Sequence, residues 1–167
     1  MLGKFIDILS KAAAVFACAI LVAMTMMILY EIILRTFFAS STYVLDEFVG
    51  YGVAVMTFMS FALALRDGVF IRVNLVTANV GPKVRRILEV GSCAVGTVLF
   101  TFLGYFILKL VMRNFENGVV SNSLAETPLW IPQGFVFLGV ALLVLQFAAL
   151  TVRFSLGEPI IDKHEEL

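Results

Sequence analysis

The sequence predicts an all-α membrane protein with four transmembrane helices and both termini in the cytoplasm. Three observations support this prediction. The chain of 167 residues is 61% hydrophobic and only 14% charged, whereas a soluble domain carries about 25% charged residues. Four long apolar runs fill most of the chain, and none has a charged residue in its middle. Nine of the twelve Lys and Arg residues fall on one side of the membrane if all four runs cross it.

The four runs are long enough to cross a bilayer. A hydrocarbon core of roughly 30 Å requires about 20 helical residues at 1.5 Å each. The runs reach or approach that length, and they are Ala12–Tyr30, Phe48–Leu65, Val90–Leu108 and Thr127–Val152. With their flanks they predict spans at about 12–35, 46–65, 84–112 and 129–152. We expect a single four-helix transmembrane domain over residues 1–167, with no second globular domain.

The first run follows Lys4 and Lys11, as the apolar part of a signal peptide would. It is longer than the usual apolar part of about 7–15 residues, so we expect an uncleaved first helix. Residues Leu2–Lys11 mix apolar and charged side chains at a spacing that predicts an amphipathic turn on the cytoplasmic interface.

A group of charged residues flanks the turn between the first two spans. Glu31 and Arg35 are four residues apart with the acid first, so they share a helix face in the favourable order. Asp46 and Glu47 open the second span, where the helix dipole favours negative charge. A snorkelling ion pair at a helix end explains Glu31 and Arg35, and helix capping explains an acid at the start of the second span. The alternative is an outer-face polar cluster that ties spans one and two together or contacts a neighbouring subunit.

The segment between spans two and three is expected on the cytoplasmic surface. Arg66-Asp67-Gly68 ends the second span. The apolar residues Ile71, Leu75 and Val76 then recur at helical spacing and predict a short interfacial amphipathic helix over residues 70–80. Basic residues here would bind anionic headgroups at about 1 kcal/mol each. This predicted lipid anchor consists of Arg66, Arg72, Lys83, Arg85 and Arg86.

The third span is predicted as one long helix. Pro82 suits its first turn, and no helix breaker follows until Gly118, so the helix could run to about Asn114. A helix of that length measures about 50 Å and must tilt or project from the bilayer. Lys109 and Arg113 near its outer end can snorkel towards water.

The fourth span is expected to begin at the outer surface of the membrane. Trp130 suits the aromatic belt at that interface and is predicted to anchor the fourth span there. Gln146 is the strongly polar side chain well inside the span. It predicts either a helix–helix hydrogen bond or a contact with a transported solute.

Basic residues are retained on the cytoplasmic side of membrane proteins. The two termini and the middle loop carry nine Lys and Arg residues, whereas the other face carries Arg35, Lys109 and Arg113. We therefore expect both termini and the middle loop in the cytoplasm. The loops over residues 36–47 and 114–126 are expected to face outward.

Several kinds of chemistry have no residues to support them. The single histidine, His164, lies in the tail, and Cys18 and Cys93 lie inside apolar runs, so we expect no metal site, haem or other cofactor and no enzyme. The zero net charge predicts no nucleic-acid partner. Carriers place ionisable groups near the bilayer centre and show broken helices there, and neither feature is evident. The chain is thus expected to be a helical scaffold.

A set of short motifs in a fixed order resembles a known family over nearly the whole chain. The motifs are Ile32–Arg35, Asp46-Glu47, Phe58 with Phe61, Ala62–Ala64, Arg66-Asp67, a stretch through Val73, Pro128, Trp130 and Pro132-Gln133-Gly134. In this order they resemble the small membrane subunit (DctQ-type) of tripartite ATP-independent periplasmic, or TRAP, transporters. Arg35, Asp46-Glu47 and Arg66-Asp67 at this spacing form the most specific part of the resemblance.

The resemblance implies a division of labour among three proteins. A large permease subunit is expected to hold the solute and sodium sites and to move as an elevator. A periplasmic solute-binding protein is expected to deliver a carboxylate-bearing solute. The small subunit would extend the fixed scaffold in the bacterial inner membrane, in contact with phospholipids. Its outer residues Lys109, Arg113 and Glu116 would help the binding protein dock.

Two other functions are compatible with four spans. A small multidrug exporter also has four spans and acts as a homodimer, but it relies on an acidic residue within its first span. Glu31 is the candidate for that role, and it lies near the outer end. The second alternative is a membrane anchor for a redox or signalling complex. Such an anchor would not co-purify with a large permease.

Overall fold

The computed structural model describes residues 2–66 and 81–156. These residues form four α-helices, which we number α1 (Leu2–Phe38), α2 (Leu45–Arg66), α3 (Pro82–Glu116) and α4 (Trp130–Leu156). Each helix is long and apolar enough to cross a membrane. The predicted all-α fold with four membrane-spanning helices is therefore confirmed. The interfacial helix predicted over residues 70–80 lies outside the described residues.

The described helices form an open row in the order α1, α2, α4, α3. Helix α1 packs against α2, α2 against α4, and α4 against α3, while α1 makes a smaller contact with α4. Helices α1 and α3 therefore stand at the two ends of the row. Each exposes a long apolar face, which in a membrane protein contacts lipid or a partner helix.

The covered positions of α1 and α3 alternate four and three residues apart. This heptad spacing is typical of helices that cross at about 20° with interlocking side chains. Along α1 the positions are Ile6, Ser10, Ala13, Ala17, Ile20, Met24, Met27 and Glu31. Along α3 they are Cys93, Thr97, Phe100, Gly104, Ile107, Val111 and Asn114.

Glycine residues allow the helices of the row to approach closely. A β-carbon at Gly139 would lie 2.7 Å from the carbonyl carbon of Phe58 and 2.9 Å from the backbone nitrogen of Met59. The backbones of α4 and α2 therefore touch at this point, as small residues permit in membrane helices. Gly52 of α2 similarly receives the side chain of Met24 from α1.

The same contacts fix the relative heights of the helices. We call the end of the row that carries the two loops, residues 39–44 and 117–129, the loop end, and the opposite end the terminal end. From the contact between Met24 and Gly52, α1 continues fourteen residues to Phe38 whereas α2 continues seven to Leu45. At 1.5 Å per residue, α1 projects about 10 Å beyond the start of α2.

The contact between α2 and α4 gives the height of the end of α1 relative to the start of α4. From the contact between Gly139 and Met59, α2 continues fourteen residues to Leu45 whereas α4 continues nine to Trp130. Helix α2 therefore starts about 7 Å beyond Trp130, and the end of α1 lies about 17 Å beyond it.

Candidate functional site

The carboxylate of Glu31 organises the loop that joins α1 to α2. Glu31 is only 2% exposed and lies on the covered face of α1. Its Oε1 accepts hydrogen bonds from Arg35 Nε at 2.8 Å and from Ser41 Oγ at 2.5 Å. Its Oε2 accepts hydrogen bonds from the backbone nitrogen of Thr42 at 3.1 Å and from the Thr42 hydroxyl at 2.6 Å.

Four hydrogen bonds satisfy the buried carboxylate, which would otherwise be costly to remove from water. Because Ser41 and Thr42 both donate to it, the loop is held against the side of α1. These hydrogen bonds hold the loop between α1 and α2 in place, and we call them the Glu31 fastening.

The structure brings Glu31 and Arg35 together as an ion pair, and Arg35 also contacts the loop. Its Nη2 donates to Ser41 Oγ at 3.3 Å, while its side chain is 58% exposed. Glu31 is the buried partner of this pair and Arg35 the exposed one. Because more than half of the Arg35 side chain is exposed, it remains available to a partner.

Two residues of this loop adopt the left-handed backbone conformation although neither is glycine. Ala39 has a φ of 48° and Tyr43 a φ of 58°. Ser40 donates its backbone N–H to the Leu34 carbonyl at 3.4 Å, which closes the end of α1. Such strained residues persist only where their surroundings hold them, and the hydrogen bonds to Glu31 supply that restraint.

Asp46 lies apart from the Glu31 fastening but shares a surface depression with Arg35. The depression is open and has a volume of about 490 Å³. It is lined by Arg35, Ala39, Ser40, Ser41, Tyr43, Leu45 and Asp46. The depression thus presents both charge signs and two serine residues at the loop end.

Glu47 points away from this depression and towards the second loop. Its Oε1 accepts a hydrogen bond from the Tyr51 hydroxyl at 2.7 Å. The hydroxyl groups of Ser121, Ser123 and Thr127 lie beside the same carboxylate. Its Oε2 is buried, and no described residue donates a hydrogen bond of good geometry to it. The four acidic and basic residues predicted as one cluster therefore belong to two separate sites.

A side-chain hydrogen bond that was not predicted from the sequence joins α3 to α4 beside the second loop. Asn114 of α3 is 6% exposed and donates from Nδ2 to Oε1 of Gln133 in α4 at 2.8 Å. The Asn114 carbonyl accepts the backbone N–H of Val119 at 3.0 Å, and Ser121 N–H donates to Thr127 at 2.9 Å. Two amide side chains at facing helix ends are the sequence signal that could have identified this contact.

Lys109, Arg113 and Glu116 are exposed and lie along one face of α3, four and three residues apart. Gly104 of α3 faces Val140 of α4, and from this contact α3 continues five residues to Lys109 while α4 continues ten to Trp130. Lys109 therefore lies about 7 Å below the level of Trp130, and Glu116 about 3 Å above it. Trp130 packs edge-on against Phe115, with ring centroids 5.4 Å apart.

The described residues of the predicted lipid anchor lie at the terminal end. Arg66 is the last residue of α2, and Lys83, Arg85 and Arg86 lie in the first turns of α3. Arg72 lies outside the described residues.

The interior of the described helices contains few polar groups. Its buried polar or charged residues are Ser10, Glu31, Asn114 and Gln146, and Glu31 alone among them carries a charge. Gln146 is 2% exposed, and its Oε1 accepts no hydrogen bond from the described residues. Within residues 2–66 and 81–156, no group of His, Cys, Asp and Glu side chains could hold a metal ion.

Comparison with known proteins identifies a family. Residues 24–156, roughly four fifths of the chain, match the family model described as tripartite ATP-independent periplasmic transporters, DctQ component. No curated protein and no solved structure matches the chain at a significant level. The matched region contains α2, α3, α4 and the part of α1 that carries Glu31 and Arg35. The chain therefore belongs to the DctQ family, the small membrane component of TRAP transporters.

Proposed function

We propose that this protein is the fixed scaffold subunit of a sodium-coupled TRAP transporter that imports a carboxylate-bearing solute across the bacterial inner membrane. It would act with a large permease subunit and a periplasmic solute-binding protein. The DctQ family comprises transporter components and is not a family of enzymes. We accordingly propose no catalytic role, and we assign the sodium and solute sites to the large subunit.

One observation carries the scaffold role. Among the described residues, Glu31 is the only charged residue that is buried, and it lies at the loop end with all its acceptor positions used by the α1–α2 corner. A carrier needs ionisable or polar groups along a path through the bilayer. The described part of the chain offers no such charged path, which favours a supporting role.

We propose that the loop end faces the periplasm. The charge distribution of the sequence supports this orientation, because nine of the twelve basic residues belong to the termini and the middle loop. In this orientation Trp130 lies at the outer interface. The basic residues from Arg66 to Arg86 would bind anionic headgroups at the inner interface.

The polar sites would then stabilise the outer face of the complex. Glu31 and Arg35 fasten the α1–α2 corner, and Glu47 approaches the second loop. Asp46, Arg113 and Glu116 are exposed there and are proposed to contact the partner proteins, while Lys109 is exposed deeper along the same face of α3. The exposed apolar faces of α1 and α3 are available to the large permease subunit and to phospholipids.

Affinity purification from native membranes tests this function. The tagged chain, extracted in a mild detergent, should co-purify with a multi-span permease of much greater length. Addition of the periplasmic fraction should then retain a solute-binding protein on the complex. Recovery of the chain only as a homodimer, or only with a redox or signalling enzyme, would reject the proposal.

A further inference from the structure

Three aromatic side chains at the end of α1 and in the loop that follows it are at least 70% exposed. Phe37 is 76% exposed, Phe38 70% and Tyr43 76%. Phe37 and Phe38 are the last two residues of α1, and Tyr43 follows in the loop that turns back to α2. We call these three residues the aromatic tip.

With Trp130 at the outer interface, as proposed above, the height of the aromatic tip would place it in water and not in lipid. Phe38 lies about 17 Å beyond Trp130, by the helix contacts described above. A bilayer has a hydrocarbon core of about 30 Å and a total thickness of about 40–45 Å, so each headgroup layer is about 5–8 Å thick. If Trp130 lies at the outer interface, the tip extends beyond the headgroups. An aromatic group exposed to water at that height indicates a protein-binding surface.

The surroundings of the tip have the composition of a reversible interface. The depression beside it combines the exposed guanidinium of Arg35 with Asp46 and two serine hydroxyls. Interfaces between proteins that associate and dissociate are enriched in aromatic residues and Arg and have a polar rim, whereas permanent subunit interfaces are larger and more apolar. Tyr and Arg are also frequent at the positions that dominate binding energy.

The tip is held in place before any partner binds. Glu31 fixes Ser41 and Thr42 on one side of Tyr43, and Ser40 closes the end of α1 next to Phe38. A surface held in its bound shape avoids an ordering cost when it associates. By contrast, Lys109 lies about 7 Å below Trp130, too deep to reach a partner beyond the headgroups.

We propose that the aromatic tip, with Arg35 beside it, is the main contact of this subunit with the periplasmic solute-binding protein. The inference rests on the proposed function and specifies the docking surface within it. The binding protein would present an apolar recess to Phe37 and Phe38, bordered by acidic or hydroxyl groups opposite Arg35. The residues Arg113 and Glu116 would make a weaker contact nearer the membrane.

Affinity measurements with the intact complex test this inference. The small and large subunits would be reconstituted together in nanodiscs, and the Kd of the purified binding protein would be measured by biolayer interferometry. The double substitution Phe37→Ser and Phe38→Ser should raise the Kd tenfold or more. Leu124→Ser is the matched control, because Leu124 is 78% exposed in the second loop and should leave the Kd unchanged.

Photo-crosslinking separates failure of this inference from failure of the proposed function. A photoreactive phenylalanine analogue at position 38 should form an adduct with the binding protein. An adduct with the large subunit instead, or an unchanged Kd for the double variant, would overturn the assignment while leaving the scaffold role intact. A wild-type complex that binds no binding protein at all would contradict the proposed function, and the docking surface with it.

Discussion

Thr42 donates two hydrogen bonds to one oxygen of Glu31, from its backbone nitrogen at 3.1 Å and from its hydroxyl at 2.6 Å, although the residues are eleven positions apart. Through this pairing, a side chain of α1 accepts hydrogen bonds from the backbone and side chain of the loop. It fixes the direction in which the chain leaves α1 and enters α2. The depression around Arg35 adjoins the loop that this pairing holds.

Substitution of Glu31 is expected to loosen the α1–α2 corner. Glu31→Ala removes the acceptor of four hydrogen bonds and should lower the midpoint of thermal unfolding in detergent. Glu31→Gln keeps one acceptor oxygen for Thr42 and should have a smaller effect. Asp46→Asn is the control, since Asp46 is exposed and should leave the midpoint unchanged. Equal midpoints for Glu31→Ala and the wild type would contradict the fastening role.

Gly139→Ala is expected to disrupt the contact between α2 and α4. The new β-carbon would lie 2.7 Å from the carbonyl carbon of Phe58, so the two helices must separate. Overpacking of this kind costs about 1–3 kcal/mol in free energy of unfolding. Equilibrium unfolding in a denaturing detergent would measure it.

Gly134→Ala provides a matched comparison in the same helix. No atom lies within 4 Å of a β-carbon at Gly134, and Ala favours helix by up to about 1 kcal/mol over Gly. This variant should be as stable as the wild type or more so. A loss of stability similar to that of Gly139→Ala would show that helix packing at Gly139 is not the cause.

The Asn114–Gln133 hydrogen bond is expected to couple α3 to α4. A double-mutant cycle with Asn114→Ala and Gln133→Ala should give an interaction energy of about 0.5–1.5 kcal/mol. Stability of the two single variants and the double variant would be measured in the same detergent. Fully additive effects would mean that the two side chains do not interact in the folded protein.

Charges on the outer end of α3 are expected to have a minor, salt-dependent effect. In the nanodisc complex, Arg113→Ala with Glu116→Ala should raise the Kd of the binding protein by less than tenfold, because an exposed ion pair typically contributes about 0.5 kcal/mol. The effect should shrink as salt concentration increases. A loss of binding larger than that of the aromatic tip variant would assign the main docking contact to α3.

The number and type of the membrane-spanning helices in the described residues followed from the sequence, because apolar runs of this length have one stable arrangement in a bilayer. The extent of α1 followed only in part. The predicted first span ends at residue 35 and includes Glu31 and Arg35. The helix continues three residues further, to Phe38, and these last residues form the projecting tip.

The partners of the polar residues were predicted only where they are local. Glu31 and Arg35 are one helical turn apart, and the structure brings them together. The hydrogen bonds from Ser41 and Thr42 depend on how the loop folds. The left-handed conformation of Ala39 and Tyr43 could not be predicted, because neither residue is glycine.

The contact between α3 and α4 places Gln133 beside Asn114. The position of α4 between α2 and α3 also directs Glu47 away from Asp46 and towards the second loop. Apolar runs define the helices but carry little information about which helices are neighbours.

Uptake by proteoliposomes of defined composition tests the scaffold role most directly. The chain would be reconstituted alone, and also together with its permease and solute-binding protein, under the same inward sodium gradient. We expect sodium-dependent uptake of a carboxylate-bearing solute only when all three proteins are present, and none by this chain alone. Uptake by the purified chain alone, abolished by Glu31→Gln, would contradict the account and identify the protein as a carrier in its own right.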